Sequence, residues 1–225
     1  MRGISRFNYV FVSACTVVLF AIEGRAAMLV VDLSGAGDFT AIQPAIDAAQ
    51  VGDTVLVKAG EYVIVEPISF KGKAIAVRSE TGAETTVIRM TDTPANPLRA
   101  EVVIFESRET VAASLEGFTL THGQGSGGVL CIEGSSPTLT NCTISGNSYS
   151  GVYCYGSSPT LTNCNISGSS GIGVFCGNSS PTLTNCTVSG NSGSGVDCRF
   201  SSPTLTDCTI SGNSYGGVYC YGSSS

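Results

Sequence analysis

The sequence predicts an all-β protein built as a parallel β-helix, a solenoid of 22-residue coils with an amphipathic helical cap at its N-terminal end. A 22-residue unit recurs four times without a spacer, beginning with SSPTLTNCTISGNSYSGVYCYG at residues 135–156. Within each copy apolar and polar residues alternate, which is the two-residue period of a β-strand. Turn-forming Gly, Asn, Ser and Pro separate three such stretches, so each copy predicts three short strands and three bends.

Residues 1–26 predict a secretory signal peptide. Two arginines precede the apolar run VFVSACTVVLFAI, and small residues follow it, so cleavage is expected after Ala26. A lipoprotein-type cleavage before Cys15 is the alternative. The apolar run is shorter than the roughly 20 residues that cross a bilayer. We therefore expect a mature chain that is secreted or lies at the cell surface, with no membrane span after signal cleavage.

Residues 27–110 predict the N-terminal cap and irregular first coils. In FTAIQPAIDAAQVGD, apolar residues recur at helical spacing, at Phe39, Ile42, Ala45, Ile46 and Ala49. Thr40 and Gln43 match a capping box at the start of this helix. Strand-like pieces follow in DTVLVKAGEY, PISFKGKAIAVRS, TTVIRM and EVVIFES. A helix at the end of a solenoid covers the core and the strand edges there, which predicts a cap.

Residues 111–225 predict the regular coils, in which equivalent residues stack about 4.8 Å apart as inward ladders. The apolar ladders are Val152, Val174, Val196 and Val218, then Leu139, Leu161, Leu183 and Leu205, then Ile144, Ile166, Val188 and Ile210. Two cysteine ladders accompany them, Cys131, Cys154, Cys176, Cys198 and Cys220, and Cys142, Cys164, Cys186 and Cys208. We expect buried thiols rather than disulfides, because a disulfide holds its Cβ atoms only about 3.8 Å apart.

A polar ladder is expected at the bend after each PTLT stretch. Its members are Asn141, Asn163 and Asn185, and it ends in Asp207. We expect these side chains to point inward and to bond one another along the axis, since buried turns need hydrogen-bond partners. Asn141 and Asn185 also match the N-glycosylation pattern, but inward asparagines would be poor acceptors.

The charge and the motifs exclude several classes of function. Without residues 1–26 the chain keeps 8 of its 11 Lys and Arg and 16 of its 17 Asp and Glu. An acidic chain of this kind has no electrostatic footprint for nucleic acid. The cysteines lack the close pairs that zinc sites use, and His122 is the single histidine, so we expect no metal, cofactor or nucleophilic triad.

Two segments resemble known β-helix proteins. GAGDFTAIQPAIDAAQVGDTVLVKAGEYV resembles the opening of pectin methylesterase and pectate-lyase-like proteins. LEGFTLTHGQGSGG followed by SSPTLTNCTISGN resembles the right-handed β-helix repeat proteins that bacteria secrete. The resemblance implies a right-handed, pectin lyase-like β-helix. It carries over no active site, because the methylesterase segments GYQDTL and VDFIFG, the polygalacturonase segments NTD, DD and GHG, and the lyase segment WIDH are absent.

The candidate ligand-binding residues lie on the outward face of the Val-x-Cys strand. They are Tyr153, Phe175, Asp197, Arg199 and Tyr219. Aromatic faces can stack on sugar rings, and the resemblance implies that a polysaccharide lies along this strand face. Two other interpretations remain open: the aromatic residues stack only on one another, and the Asp197 and Arg199 charges only pair with each other.

The leading function is therefore a secreted β-helix protein associated with extracellular polysaccharide. It either binds the polymer or forms the N-terminal part of a carbohydrate-active enzyme, which would be a lyase or a glycoside hydrolase. The alternative is a non-catalytic surface, adhesion or spacer module. The sequence stops at the first residues of a fifth copy, which predicts a fragment whose last coil exposes Leu205, Ile210 and Val218 and so self-associates.

Overall fold

A computed structural model describes residues 25–222 as a parallel β-solenoid of three sheets with one short helix. The first sheet contains β1 (Met28–Val31), β2 (Thr54–Val57), β5 (Ala76–Ser79), β8 (Ser114–Glu116), β11 (Thr138–Thr140), β14 (Thr160–Thr162), β17 (Thr182–Thr184) and β20 (Thr204–Thr206). The second contains β3 (Gly60–Ile64), β6 (Thr86–Met90), β9 (Thr119–Thr121), β12 (Thr143–Ser145), β15 (Asn165–Ser167), β18 (Thr187–Ser189) and β21 (Thr209–Ser211). The third contains β4 (Ile68–Ser69), β7 (Val103–Phe105), β10 (Gly127–Cys131), β13 (Ser150–Tyr155), β16 (Val174–Gly177), β19 (Val196–Arg199) and β22 (Val218–Tyr221).

Each strand pairs in parallel with the strand one coil away, which confirms the predicted solenoid and its period. Leu139 pairs with Leu161, and Val152 with Val174, as the 22-residue register requires. The Leu, Val and Ile ladders run through the centre and form a single core with the cysteines. Because the coils are nearly identical, one register satisfies all three sheets at once.

The helix α1 (Ile42–Ala48) covers the N-terminal end of this core. Its buried side chains Ile42, Ala45 and Ile46 pack against β1, β2 and β4, as the helical spacing predicts. The expected capping box is wrong, because Ala41 is the N-cap residue and no side chain caps it. Gln43 instead uses its amide on the backbone of Ser69, accepting from N–H at 2.8 Å and donating to the carbonyl at 3.0 Å. The Gln43 side chain therefore links the helix to the third sheet instead of capping it.

The nine cysteines from Cys131 to Cys220 are thiols rather than disulfides in the described structure, as the ladder spacing predicts. The thiols of the second ladder also serve as hydrogen-bond donors to backbone carbonyls. For example, Sγ of Cys164 lies 3.6 Å from the carbonyl oxygen of Leu139 and 3.4 Å from that of Thr162. The same contacts recur at Cys142, Cys186 and Cys208, so each thiol fills the core and bridges two coils.

The asparagine ladder forms, but its predicted inward orientation is wrong. Nδ2 of Asn163 donates to Oδ1 of Asn141 at 3.1 Å, and Asn185 donates to Asn163 at 2.8 Å. All three side chains, and that of Asp207, are exposed. These residues adopt positive φ angles of about 53°, and this left-handed bend turns the side chain outward. The argument that Asn141 and Asn185 are poor glycosylation acceptors therefore fails.

The buried polar ladder lies instead at the Gly-Asn-Ser bend, which the sequence reasoning treated only as a turn. Its members are Asn147, Ser169, Asn191 and Asn213. Oδ1 of Asn191 accepts the N–H of Ser169 at 3.0 Å, and Oδ1 of Asn213 accepts the N–H of Asn191 at 3.0 Å. Each amide thus satisfies a buried backbone donor one coil away.

Residues 1–24 of the predicted signal peptide lie outside the described residues. Within residues 25–222 no helix is long and apolar enough to span a membrane. In the last described coil Leu205 and Ile210 are half-buried and Val218 is 49% exposed. Self-association through this coil stays a prediction.

Candidate functional site

The five predicted ligand-binding residues do lie together on the outer face of the third sheet. Register pairs Tyr153 with Phe175, Phe175 with Asp197, and Asp197 with Tyr219, so these four form one outward column. Arg199 stands two residues further along β19 on the same face, where it pairs with Tyr221 of the next coil. Whether this group binds a ligand stays a prediction.

An ion pair occupies the centre of the column. Nε of Arg199 donates to Oδ1 of Asp197 at 3.2 Å, and Nη2 donates to Oδ2 at 3.0 Å. Asp197 is only 5% exposed, whereas the Arg199 side chain is 52% exposed. Hydrogen bonding to Asp197 and its charge raise the pKa of Arg199 further above its usual range. Two of the five guanidinium N–H groups are used by Asp197, so the cation retains donors that a ligand can take.

Stacked rings support the guanidinium from below. Cζ of Arg199 lies 5.2 Å from the centroid of the Phe175 ring, a cation–π contact. The Phe175 ring in turn stacks on Tyr153, with centroids 4.6 Å apart and an interplanar angle of 20°. Burial raises the pKa of the Tyr153 phenol, which therefore stays neutral at physiological pH. This stack buries Phe175 to 9% exposure, so Phe175 supports the site more than it presents a free ring.

Two rows of tyrosines enclose the ion pair. The alternation along the strand predicts the outward position of four of these tyrosines, but the sequence reasoning missed Tyr149 and Tyr215. One row, on the coil of β13, contains Tyr149, Tyr153 and Tyr155, and the other, on the coil of β22, contains Tyr215, Tyr219 and Tyr221. At the three matching positions the two intervening coils carry Gly171, Phe175 and Gly177, and Gly193, Asp197 and Arg199. The rows are three coil steps apart, about 14 Å at 4.8 Å per step. Extending the comparison of the four copies to the bend before this strand would have found Tyr149 and Tyr215.

Close backbone contact makes the floor between the rows. The N–H of Gly193 bonds the carbonyl of Gly171 at 2.6 Å. A Cβ atom at Gly171 would lie 2.3 Å from the carbonyl oxygen of Tyr149, so no larger side chain fits there. The absence of side chains at these two positions opens a recess of about 570 Å³, lined also by Ser170, Ser192, Ser194, Asp197, Arg199, Tyr149, Tyr215 and Tyr219. We call this recess and the two rows around it the tyrosine basin.

The recess of the tyrosine basin contains a single carboxylate in the part of the chain that the structure describes. Hydrolysis of a glycosidic bond uses a pair of carboxyl groups. Among the described residues that line the recess, Asp197 is the one carboxylate, and its two oxygens are held by Arg199. Across residues 25–222 no group of three or more His, Cys, Asp and Glu side chains is arranged to hold a metal ion.

A second groove of about 440 Å³ lies on the same face in the N-terminal coils. Its cations already have partners at short range. Nζ of Lys71 lies 2.7 Å from Asp47, and Nη2 of Arg99 lies 2.6 Å from Glu106. Both cations that line this groove are therefore already paired with carboxylates, which makes it a weaker candidate than the tyrosine basin.

Comparison with known proteins identifies the family to which this β-helix belongs. Residues 99–225 match the family model described as the right-handed β-helix region, which is more than half of the chain. The chain belongs to the right-handed β-helix family. The handedness that the resemblance implied is thereby confirmed, together with a pectin lyase-like fold. No curated protein sequence matches the chain.

Solved structures share the fold of this β-helix at low sequence identity. It is similar to the pectin methylesterase from Aspergillus niger, with a TM-score of 0.57 and 14% identity over 91% of this chain and 77% of that one. It is also similar to pectate lyase Pel9A, with a TM-score of 0.49 and 15% identity over 85% of this chain. The β-helix spans 49% of the length of that lyase. At these identities the comparisons show the fold alone.

Proposed function

We propose that this β-helix is a secreted protein that binds an extracellular polysaccharide in the tyrosine basin and does not cleave it. The observation that carries the proposal is the pair of tyrosine rows facing each other across a recess that holds Arg199. Exposed rings at both ends offer apolar faces to sugar rings, while the guanidinium and the serine hydroxyls between them offer polar partners.

The geometry favours a polysaccharide chain that lies along the solenoid axis. The rows are separated along that axis by about 14 Å, whereas neighbouring columns on one strand are only about 7 Å apart. A ligand that reaches both Tyr149 and Tyr215 must therefore extend across the coils. Arg199 lines the recess and has N–H donors that Asp197 does not take, which favours a polymer with carboxylate groups. The pectin methylesterase of the same fold acts, by its name, on pectin, so an acidic pectic polymer is the first ligand to test.

Affinity electrophoresis in gels containing polygalacturonate, alginate or a neutral xylan tests the proposal. We expect the parent protein to be retarded by an acidic polymer. Asp197→Ala and Tyr219→Ala should each lose most of the retardation, since the first frees the guanidinium from its position and the second removes a ring. Thr143→Ala, on the outer face of the second sheet, is the matched control and should migrate like the parent.

Three outcomes would contradict the proposal in different ways. Equal retardation of the parent and both basin variants would mean that the basin is only a packed surface. Release of oligosaccharides from any polymer would mean that the protein is a carbohydrate-active enzyme. Absence of retardation in every gel would favour the alternative of a spacer or adhesion module, in which the coils serve only to extend the chain.

A further inference from the structure

The outer face of the first sheet carries a regular array of threonines that the tyrosine basin does not use. Four consecutive strands of this sheet, β11, β14, β17 and β20, each read Thr-Leu-Thr, with the leucine inward and both threonines outward. The register pairs every threonine with its counterpart one coil away. Eight outward threonines therefore form two straight columns, which are Thr138, Thr160, Thr182 and Thr204, and Thr140, Thr162, Thr184 and Thr206.

The spacing of this array follows from β geometry. Neighbours within a column are about 4.8 Å apart, the distance between paired strands, and the two columns are about 7 Å apart, two residues along a strand. A β-branched side chain has a restricted χ1 angle, so threonine holds its hydroxyl and methyl groups in fixed places. Side-chain ladders also keep stacked strands flat over several rungs. The array is thus a rigid, two-dimensional lattice of hydroxyl groups.

The hydroxyl groups of the array are directed to solvent rather than to the protein. Of the eight, Thr138 bonds a protein atom, its Oγ1 donating to the carbonyl of Val111 at 3.0 Å. In the described structure none of the other seven makes a hydrogen bond through its side chain to the protein. The array carries no charge, and the charged residues Arg78 and Glu116 begin only beyond its N-terminal edge. These seven hydroxyls are therefore left for solvent, at positions that repeat with the coils.

We propose that the threonine array binds crystalline water, that is, a prism face of ice. The water oxygens on a prism face of hexagonal ice repeat at intervals close to both spacings of the array. Hydroxyls on this lattice order their first-shell water in positions that an ice surface can share, while the methyl groups between them exclude loosely bound water. A neutral, flat face without aromatic rings suits this ligand better than a sugar polymer or a charged partner. The array lies on a different sheet from the tyrosine basin, so the inference is independent of polysaccharide binding.

The test is ice recrystallisation inhibition and the faceting of single ice crystals by the purified full chain. We expect the parent to inhibit recrystallisation at concentrations at which serum albumin has no effect. Thr162→Tyr, in the middle of the array, should raise the required concentration by about tenfold or more, because a large side chain holds the face away from the ice. Thr162→Val keeps the shape of the side chain and removes its hydroxyl, so it should fold like the parent and show a smaller loss.

Thr187→Tyr is the matched control. Thr187 is outward and exposed on the second sheet, where it pairs with Asn165 and lies outside the threonine array. We expect this variant to match the parent, with circular dichroism melting curves showing that every variant is folded. A parent protein no more active than albumin would overturn the inference. Equal losses from Thr162→Tyr and Thr187→Tyr, or full activity in both variants at Thr162, would overturn it as well.

Discussion

The guanidinium of Arg199 holds a carboxylate that the fold has nearly buried. Two hydrogen bonds join it to Asp197, of 3.2 Å and 3.0 Å, while the Phe175 ring supports it from the preceding coil. A buried carboxylate that loses its partner retains the cost of desolvation, whereas an exposed one regains water. The pair therefore contributes to stability as well as to the proposed site.

Arg199→Ala should lower the free energy of unfolding by about 1–2 kcal/mol, because Asp197 loses both of its hydrogen bonds to Arg199. This value is reduced to allow for solvent screening of the half-exposed arginine. Lys71→Ala is the control, since Lys71 and Asp47 are both about half exposed. Its effect should stay within about 0.5 kcal/mol. Urea unfolding followed by circular dichroism measures both. Equal effects of the two substitutions would show that the burial of Asp197 makes no difference.

The state of the thiols gives a second prediction. Under denaturing conditions, all nine cysteines from Cys131 to Cys220 should react with a thiol reagent without prior reduction. In the native protein Cys220, which is exposed, should react first. A hydrogen bond with Cys176 lowers the pKa of Cys198 to about 7, but Cys198 is buried and should stay unreactive, because access limits its rate. Four disulfides found by mass spectrometry would contradict the thiol ladders.

The reaction of Cys220 should also depend on pH in a defined direction. The limited burial of its Sγ and the neighbouring Cys198 raise the pKa of Cys220 above the ordinary 9.0. Since the thiolate is the reactive form, the reaction of Cys220, which is the fast phase of labelling, should keep accelerating as the pH rises through 9.0. The variant Cys220→Ser should remove the fast phase. A rate that levels off near neutral pH would show that the pKa is lowered instead.

The close stacking of coils can be tested at one glycine position that occurs in every copy. A Cβ atom at Gly173 would lie 2.4 Å from Cγ1 of Val188 and 2.5 Å from the carbonyl oxygen of Gly195 in the next coil. Gly173→Ala should therefore destabilise the protein by about 1–3 kcal/mol. The equivalent Gly217 in the last coil has its nearest neighbour at 3.6 Å, so Gly217→Ala should be close to neutral. Thermal melts of both variants compare the same substitution at a crowded position and at an open one.

The two asparagine ladders should differ in their contribution to stability. Asn191→Ala leaves the buried N–H of Ser169 without its 3.0 Å partner, which should cost about 1–3 kcal/mol. Asn163 is exposed at a positive φ of 53°, which glycine adopts without strain. Asn163→Gly should therefore change the free energy of unfolding by no more than about 0.5 kcal/mol. A larger loss at Asn163 than at Asn191 would reverse the assignment of the buried ladder.

Much of the architecture could be predicted because the chain repeats itself. Four copies of 22 residues stack in one register, so the alternation in a single copy predicts the Leu, Val, Ile and Cys ladders throughout. The helical spacing from Ile42 to Ala48 predicted the cap for the same kind of reason. Both patterns depend on local periodicity, which a sequence displays directly.

The sequence by itself thus determined the fold, its period, the inward ladders and the outward column of Tyr153, Phe175, Asp197 and Tyr219. The tertiary structure decided which asparagines are buried, since the left-handed φ at Asn141, Asn163 and Asn185 turns their side chains outward. It also decided the tyrosine basin, because Tyr149 and Tyr215 become its walls only where Gly171 and Gly193 bring the intervening coils into close backbone contact. Periodicity along the chain records which residues share a face, whereas the direction of a side chain at a bend and the depth of a recess depend on backbone angles and on packing between coils.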